Sequence, residues 1–379
     1  MNLSDSAEEA EFRAQLRAWL IEHHPGPMPS GDDASFDLRR TWQRELNAAG
    51  YVGLSWPKEF GGAGAALTEQ AIVLEEAARA RVPQPANVVG LSHAGPVIIE
   101  YGTEYQKTRY LPKILSAQEI WCQGFSEPSS GSDLSSVRTR AVFDDGRWLV
   151  TGQKVWTSFG HYADMCILLA RTSTEGARHR GLTFFLLPMR QEGVEIRPLR
   201  QASGESEFNE LFLDNAVVPA ENVLGAVGDG WRVAMSTLGY ERATIGVTYS
   251  STIQQTFRDL LKLCHATGAV NRESVRQELA RFYTEANALR LCALSVLCKQ
   301  AVSGAPGADG SMTKWQWSNL SQAMSEFAMD ILEEQGILAA SEWTYRFLRS
   351  RANSIEGGTT DIQKGIVAER VLGLPRAAR

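Results

Sequence analysis

The chain has 379 residues, of which 44% are hydrophobic and 22% are charged, as in a globular protein with a large core. Its formal net charge of −6 gives no electrostatic reason to expect a nucleic-acid or membrane partner, and no apolar run reaches the ~18 residues of a membrane span. At about 150 residues per domain, this length predicts two or three domains.

The cysteines and the N-terminal segment favour a cytoplasmic location. The five cysteines lie far apart and have no CxxC or Cys/His spacing, which predicts reduced thiols and no metal site. Met1–Glu11 is acidic rather than basic, which is not typical of a signal or transit peptide.

Residues 1–120 have the pattern of a helical domain. Apolar residues recur at helical spacing over Phe12–Leu20 and again over Thr68–Arg81. The turn-rich loop Trp56–Gly64 lies between them, and Pro83 and Pro85 end the second helix.

Residues 121–231 have the pattern of a β-domain. The apolar runs become short and rich in β-branched and aromatic residues, with Gly, Pro and Asp between them. The clearest predicted strands are Arg147–Thr151, Met165–Ala170, Thr183–Pro188 and Asn209–Leu213.

Residues 232–379 return to the helical period. Apolar positions from Met235 to Tyr249 mark one long helix. Arg276–Ala301 and Trp315–Ala340 are two more predicted helices, separated by the Gly/Pro/Ser-rich stretch Ser303–Ser311. The sequence therefore predicts an α, β, α order of three domains.

Two segments of the predicted β-domain could carry chemistry. Gly124–Ser136 is rich in glycines and small hydroxyls, whose amide and hydroxyl groups could bind a planar heterocycle or a phosphate. Its composition alone favours a polar surface loop. In Gly152–Gly160, Trp156 stands beside two hydroxyl residues and could stack on a flat cofactor, or it could be a core residue at a strand end.

In this order, the two segments resemble the acyl-CoA dehydrogenase family. Further segments match as well, namely Asn47–Gly64, Gly102–Pro112, Lys113–Glu127 and Ser354–Gln363. The resemblance covers nearly the whole chain. It implies an α+β multidomain fold, with an N-terminal helical domain, a middle β-domain and a C-terminal four-helix bundle. The family binds FAD between the β-domain and the bundle.

The resemblance also implies the site residues. Those that would contact FAD are Phe125, Ser126, Ser132, Trp156, Ser158, Thr359 and Asp361. Ser126, Trp156 and Ser158 would lie against the isoalloxazine ring. Ser132 would lie where the flavin and the acyl-CoA meet, and would therefore contact the substrate too.

The catalytic base is expected on the first bundle helix. Well-known members have a Glu immediately before Gly-Thr in the C-terminal loop, but Gly357 occupies that position here. Glu356 is one residue earlier, and a shift of one residue in an extended loop turns the side chain away. Other members place the base just before an Arg on the bundle helix, which matches Glu241 and Arg242. Arg242 is a candidate substrate-site residue, although an ordering role for its charge is the simpler interpretation.

The sequence departs from the family pattern where members bind the partner subunit's FAD. Phe257–Gly268 lacks the usual Phe-Gly element, and Gln335–Leu338 replaces a Gln-x-x-Gly-Gly stretch. This style resembles actinobacterial-type dehydrogenases, some of which act on bulky acyl-CoAs, including sterol side chains, as hetero-oligomers.

The predicted function is FAD-dependent dehydrogenation of an acyl-CoA to the trans-2-enoyl-CoA. Glu241 would take the α-proton, the β-hydride would go to the flavin, and the electrons would pass to an electron-transfer flavoprotein. The expected assembly is a homo-oligomer or a hetero-oligomer with a related subunit. Alternatives are a flavin oxidase or monooxygenase, a non-catalytic partner subunit, and a carrier-protein thioester as substrate.

Overall fold

The computed structural model describes residues 4–175, 178–303, 307–338 and 341–375, without the side chains of residues 241–245 and 337. Helices come first along the chain, strands follow, and helices return to the end. This order confirms the predicted fold class. Within the described ranges, no helix is both long and apolar enough to cross a membrane.

The first part of the chain forms five α-helices within the described residues. They are α1 (Ala7–Glu22), α2 (Asp32–Ala48), α3 (Leu67–Ala80), α4 (Gly95–Tyr101) and α5 (Glu104–Leu115). A capping box starts α1, because the Ser6 hydroxyl accepts from the Glu9 amide while the Glu9 carboxylate accepts from the Ser6 amide. The helices predicted over Phe12–Leu20 and Thr68–Arg81 are confirmed as α1 and α3.

The middle of the chain forms one seven-stranded sheet. Its strands are β1 (Trp121–Gly124), β2 (Arg140–Asp144), β3 (Arg147–Ser158), β4 (Met165–Arg171), β5 (Leu182–Pro188), β6 (Val194–Leu199) and β7 (Phe208–Pro219). The order across the sheet is β1-β4-β2-β3-β7-β6, and β5 pairs with β4. All four predicted strands are present. The sequence pattern missed β1, β2 and β6, and it ended β3 and β7 too early.

The longest antiparallel strand pair of the sheet is irregular within Gly152–Gly160, one of the two segments predicted to carry chemistry. Strands β3 and β7 pair from Arg147↔Pro219 to Ser158↔Phe208, with register shifts between Val150 and Gly152 and between Lys154 and Thr157. The second shift is a β-bulge that contains Trp156. A bulge leaves its extra residue unpaired and redirects its side chain.

The last part of the chain is helical. Its elements are α6 (Gly230–Ala266), α7 (Glu273–Ser303), α8 (Gly310–Leu332), α9 (Glu334–Leu338), α10 (Glu342–Ser350) and α11 (Thr360–Ile366). The single helix predicted over Trp315–Ala340 is wrong at its end. Glu333, with φ +52°, interrupts it between α8 and α9. A positive φ is incompatible with a continuous right-handed helix. Residues 339–340 lie outside the described part.

The chain packs as two units that do not follow chain order. The bundle unit comprises Met1–His24, Leu67–Val82 and Arg242–Arg379, and the sheet unit comprises Pro25–Ala66 and Pro83–Glu241. The core of the sheet unit includes Leu168, Phe185 and Leu211. That of the bundle unit includes Phe282 and Met324. The domain boundaries at residues 120 and 231 remain a prediction.

Candidate active site

The loop after β1 is folded on itself by hydrogen bonds. Glu127 and Ser130 exchange main-chain bonds of 2.9 and 3.0 Å, which close a tight turn. The Ser130 hydroxyl donates to the Asp133 carbonyl at 2.7 Å, and the Ser136 hydroxyl donates to Ser130 Oγ at 2.9 Å. The segment after Gly124 is therefore an ordered structure rather than a featureless surface loop.

Trp156 points away from the core of the sheet unit. Its side chain is 60% exposed, whereas its neighbours Val155 and Thr157 are buried. Its φ of +63° lies in the left-handed region, which is rare and strained for a bulky residue. The indole meets the ring of Phe208 edge to face, with 5.9 Å between centroids. The interpretation of Trp156 as a core residue is wrong, because the bulge turns the indole outward.

Free hydroxyl groups lie on the segments on both sides of this indole. The Val155 amide donates to the Ser126 carbonyl at 3.0 Å, so the loop after β1 runs beside the bulge. The side-chain hydroxyls of Ser126, Ser132 and Ser158 make no hydrogen bond to the described part of the chain. We call Ser126, Trp156 and Ser158 the indole–hydroxyl surface. An exposed ring with unpaired hydroxyls suits a flat heterocycle that has polar edges.

Phe125 contributes its ring to the core. It is only 4% exposed and packs edge to face on Phe184, with 5.7 Å between centroids. Its carbonyl accepts a hydrogen bond from Lys154 at 3.0 Å. Any contact of Phe125 with a cofactor would therefore have to come from its amide.

A buried ion pair anchors this site, and the sequence pattern did not single it out. Lys154 Nζ lies 2.9 Å from Glu127 Oε1, and both side chains are buried. Burial lowers the pKa of Lys154 against the opposing effect of Glu127. Burial alone would raise the pKa of Glu127, but Lys154 and the main-chain donors outweigh it and lower that pKa. Lys154 lies between Gln153 and Val155, beyond the predicted strand end at Thr151, so the apolar pattern carried no signal of its burial.

The Gly-Thr loop of the bundle unit contains two further predicted residues. The Thr359 hydroxyl accepts from the Ile362 amide at 3.3 Å and so caps α11, while Asp361 is exposed. Buried Lys314 donates to the carbonyls of Asn353 and Gly358, at 2.7 and 2.8 Å. Lys314 therefore fixes the main chain of the Gly-Thr loop at two points.

The Gly-Thr loop does not support a catalytic base at residue 357, where well-known members of the family have a Glu. Gly357 and Gly358 have φ values of +61° and +91°, a conformation that favours glycine. Glu356 is held by Arg349 in a two-pronged ion pair, with N–O distances of 3.1 and 3.0 Å. Both carboxylate oxygens of Glu356 are therefore bonded to the Arg349 guanidinium and are not free to approach a substrate carbon.

Helix α6 includes Glu241 and Arg242, but the side chains of both lie outside the described residues. The preceding turn is held within the sheet unit, where the Tyr240 hydroxyl donates to Glu100 Oε2 at 3.1 Å. Burial and the Glu100 carboxylate raise the pKa of Tyr240 to about 12. Tyr240 is therefore a neutral hydrogen-bond donor near neutral pH and not a candidate base.

No metal centre accompanies these groups within the described ranges, because no three His, Cys, Asp or Glu side chains meet as a metal would require. The arrangement offers an exposed ring, free hydroxyls and main-chain donors. These groups can bind and orient a flat polar cofactor, but they cannot by themselves oxidise a carbon–carbon bond.

Known proteins match this chain along most of its length. Three family models match the chain in order, described as acyl-CoA dehydrogenase N-terminal domain over residues 6–118, middle domain over 122–216 and C-terminal domain over 228–372. The acyl-CoA dehydrogenase IpdE1 of Mycobacterium tuberculosis is 41% identical over 381 residues, covering 97% of this chain and 98% of that protein.

Solved structures agree over the full length. The Tcur3481-Tcur3483 steroid acyl-CoA dehydrogenase matches with a TM-score of 0.88 at 28% identity, covering 100% of both chains. The ChsE4-ChsE5 complex from Mycobacterium tuberculosis matches with a TM-score of 0.87 at 28% identity, also covering 100% of both chains.

Proposed function

Because the chain belongs to the acyl-CoA dehydrogenase family, a family of flavoenzymes, we propose that it binds FAD and dehydrogenates an acyl-CoA between its α and β carbons. The product is the trans-2-enoyl-CoA. The observation that carries the proposal is the indole–hydroxyl surface, where a strained backbone exposes Trp156 beside unpaired hydroxyls. Strained backbone conformations of this kind cluster at functional sites.

The proposed cofactor contacts are the residues that the resemblance to the family implies. The indole–hydroxyl surface would lie against the isoalloxazine ring, and Ser132 would lie where the flavin and the substrate meet. Thr359 and Asp361 would contact FAD from the Gly-Thr loop. When bound, FAD supplies the acceptor for the β-hydride. The chain's own residues then have to bind FAD and the acyl-CoA, orient them, and take a proton from the acyl-CoA.

Glu241 is the proposed base that takes the α-proton of the thioester. Two observations support it over Glu356, namely the left-handed glycine at 357 and the Arg349 ion pair on Glu356. Tyr240 hydrogen-bonds Glu100 and so fixes the helical turn that carries Glu241. A nearby positive charge, for which Arg242 is the candidate, would order this turn or the substrate.

The substrate is proposed to be a bulky acyl-CoA such as one with a sterol side chain. Support comes from the steroid acyl-CoA dehydrogenase that matches over its full length, and from the absence of a loop Glu at Gly357. The ChsE4-ChsE5 complex contains two different subunits, so we propose a hetero-oligomer with a related chain, with a homo-oligomer as the alternative. We further propose an electron-transfer flavoprotein as the acceptor.

The decisive experiment is to purify the chain alone and with candidate partner subunits, and to mix each with acyl-CoAs in an anaerobic stopped-flow instrument. We expect a yellow protein whose flavin absorbance is bleached fastest by acyl-CoAs with bulky groups. Reoxidation should be slow in air and fast with an electron-transfer flavoprotein. A protein that never takes up FAD in any assembly would refute the proposal, and rapid peroxide formation would indicate an oxidase instead.

A further inference from the structure

Strand β3 contains a lysine whose ammonium group is completely buried. Lys154 is 0% exposed, and Thr157, three residues further along β3, is also 0% exposed. Removing a charge from water is costly unless the charge is paired and its hydrogen bonds are satisfied. Lys154 is paired and makes two hydrogen bonds, because Nζ donates to Glu127 Oε1 at 2.9 Å and to the Phe125 carbonyl at 3.0 Å.

The partner carboxylate is satisfied at both oxygens. Glu127 Oε1 also accepts from the Thr139 amide at 2.8 Å, and Oε2 accepts from the Arg138 amide at 2.7 Å. The pair therefore joins β3, the loop after β1 and the segment that leads into β2. A buried polar network that joins three segments in this way rigidifies its surroundings.

The pair fixes the main chain on both sides of Ser126. The preceding carbonyl, that of Phe125, accepts from Lys154, and the following residue is Glu127 itself. The Ser126 carbonyl accepts from the Val155 amide at 3.0 Å. Since each neighbour of Ser126 is held, the direction of its Cα–Cβ bond is fixed.

The same lysine lies at the start of the bulge that exposes Trp156. Lys154 is the last residue in register with β7, opposite Leu211, before the register shifts. Trp156 follows two residues later with its left-handed backbone. A strained conformation of this kind persists only where the surrounding structure holds it in place.

Stability alone does not explain why Lys154 and Glu127 are charged, because well-packed apolar residues can replace a buried ion pair without loss of stability. The directions of the hydrogen bonds that the two side chains make do explain it. We propose that the Lys154–Glu127 pair is a positioning element that presents the Ser126 hydroxyl and the Trp156 indole to the isoalloxazine ring. This inference rests on the proposed FAD binding.

The test uses the double variant Lys154→Met/Glu127→Gln, which removes both charges and keeps the side-chain sizes. Thermal unfolding of the apoprotein measures folding, and fluorescence titration measures the dissociation constant for FAD. Visible circular dichroism of bound flavin reports the asymmetry of its surroundings. We expect a folded protein with a lower melting temperature, because Gln cannot accept from both main-chain amides, together with an FAD dissociation constant raised about tenfold or more and an altered flavin dichroism.

The pair of Lys113 on α5 with Glu119, in the segment between α5 and β1, serves as the control. Lys113 Nζ lies 2.9 Å from Glu119 Oε1, the same distance as in the buried pair, and Arg109 lies 2.7 Å from the same oxygen. Neither side chain of the control pair hydrogen-bonds the loop after β1 within the described residues. Lys113→Met/Glu119→Gln should leave the FAD dissociation constant and the flavin dichroism unchanged. A similar loss in both double variants would mean that any lost ion pair has this effect, and would overturn the proposal.

The single variant Glu127→Gln provides a second test, and its FAD titration is made at a temperature at which thermal unfolding shows the apoprotein to be folded. Gln retains the shape and one acceptor, so FAD binding should weaken and the dichroism should change in the same direction. Trp156→Ala should then cost less FAD affinity in the Glu127→Gln background than in the wild type. A Glu127→Gln protein with wild-type affinity and dichroism overturns the proposal. Wild-type protein that takes up no FAD in any assembly refutes the proposed function instead.

Discussion

At the scale of single residues, backbone conformation decides which side chains are available for chemistry. Trp156 is exposed because its φ of +63° turns the indole out of the strand. Gly357 and Gly358 adopt positive φ values as well, and a glutamate at either position would be strained. Glu356 is next to them but is occupied by Arg349. The base is therefore sought on α6.

Replacing Glu241 by glutamine should abolish the proton transfer and leave the cofactor site intact. We expect Glu241→Gln to bind FAD and acyl-CoA and to lose turnover by about 10²- to 10⁴-fold, because a positioned base contributes on that scale. Glu356→Gln is the control, which should lower stability slightly and leave turnover near that of the wild type. Rapid-mixing measurement of flavin bleaching checks both. An active Glu241→Gln protein with an inactive Glu356→Gln protein would reassign the base to the loop.

At the scale of elements, close approach fixes how the first helices of the sheet unit pack. Trp56 is buried, and its indole N–H donates to the Leu91 carbonyl at 3.1 Å. The indole ring packs directly on the main chain where α4 begins. A Cβ added to Gly95 would lie 1.8 Å from Cζ2 of that ring, which is far inside contact distance. The start of the predicted turn-rich loop Trp56–Gly64 is therefore packed against α4 through contact between the Trp56 ring and Gly95.

Adding a methyl group at Gly95 should destabilise the protein. Gly95→Ala would displace the Trp56 ring or the start of α4, and we expect a loss of about 1–3 kcal/mol in the free energy of unfolding, as for an overpacked core. The matched control is Gly239→Ala within α6, where an added Cβ meets nothing within 4 Å. That change should stabilise the helix by about 0.5–1 kcal/mol. Urea unfolding of the two variants should therefore give shifts of opposite sign, and equal shifts would contradict the packing argument.

At the scale of the whole molecule, charge pairs join segments that are far apart in the chain. In the bundle unit, Arg13 of α1 contacts both Glu75 and Glu76 of α3, and Arg290 of α7 contacts Glu75 at 3.1 Å. Arg17 adds a bond of 2.8 Å to Glu76, which is 3% exposed. This network explains how two N-terminal helices belong to the same unit as the C-terminal bundle.

The network should make stability depend on pH through Glu76. Burial alone would raise the pKa of Glu76, but Arg17 and Arg13 outweigh it and lower that pKa below its ordinary value of 4.5. A lowered pKa in the folded state means that the stabilisation is complete above about pH 4.5 and is lost as the pH falls through the folded-state pKa. Glu76→Gln should therefore cost about 1–3 kcal/mol at pH 7, and less in acid.

Urea unfolding at neutral and acidic pH measures this difference. Glu278→Gln is the control, since its ion pair with Arg281 is exposed on both sides and should contribute little at either pH. A Glu76→Gln effect that stays constant or grows as the pH falls would contradict the proposed role of the network.

The sequence by itself determined the α, β, α order and the family. Helical and strand periods are local properties, so α1, α3 and the long strands could be read from neighbouring residues. The segments Gly124–Ser136, Gly152–Gly160 and Ser354–Gln363 kept an order and spacing that resemble the family, and the family models match along the same chain. Short strands such as β6, whose residues show no clear apolar run, were missed.

Only the tertiary structure decided which of the candidate side chains face outward and what holds them. The Phe125 ring lies in the core while Trp156 is exposed, because a β-bulge depends on the pairing of β3 with β7 and not on local composition. The bond between Lys154 and Glu127 joins residues 27 positions apart, and the one between Arg349 and Glu356 occupies a carboxylate near the expected base position. The Lys154–Glu127 pair forms only when separate segments fold against each other, so no local pattern in the sequence records it.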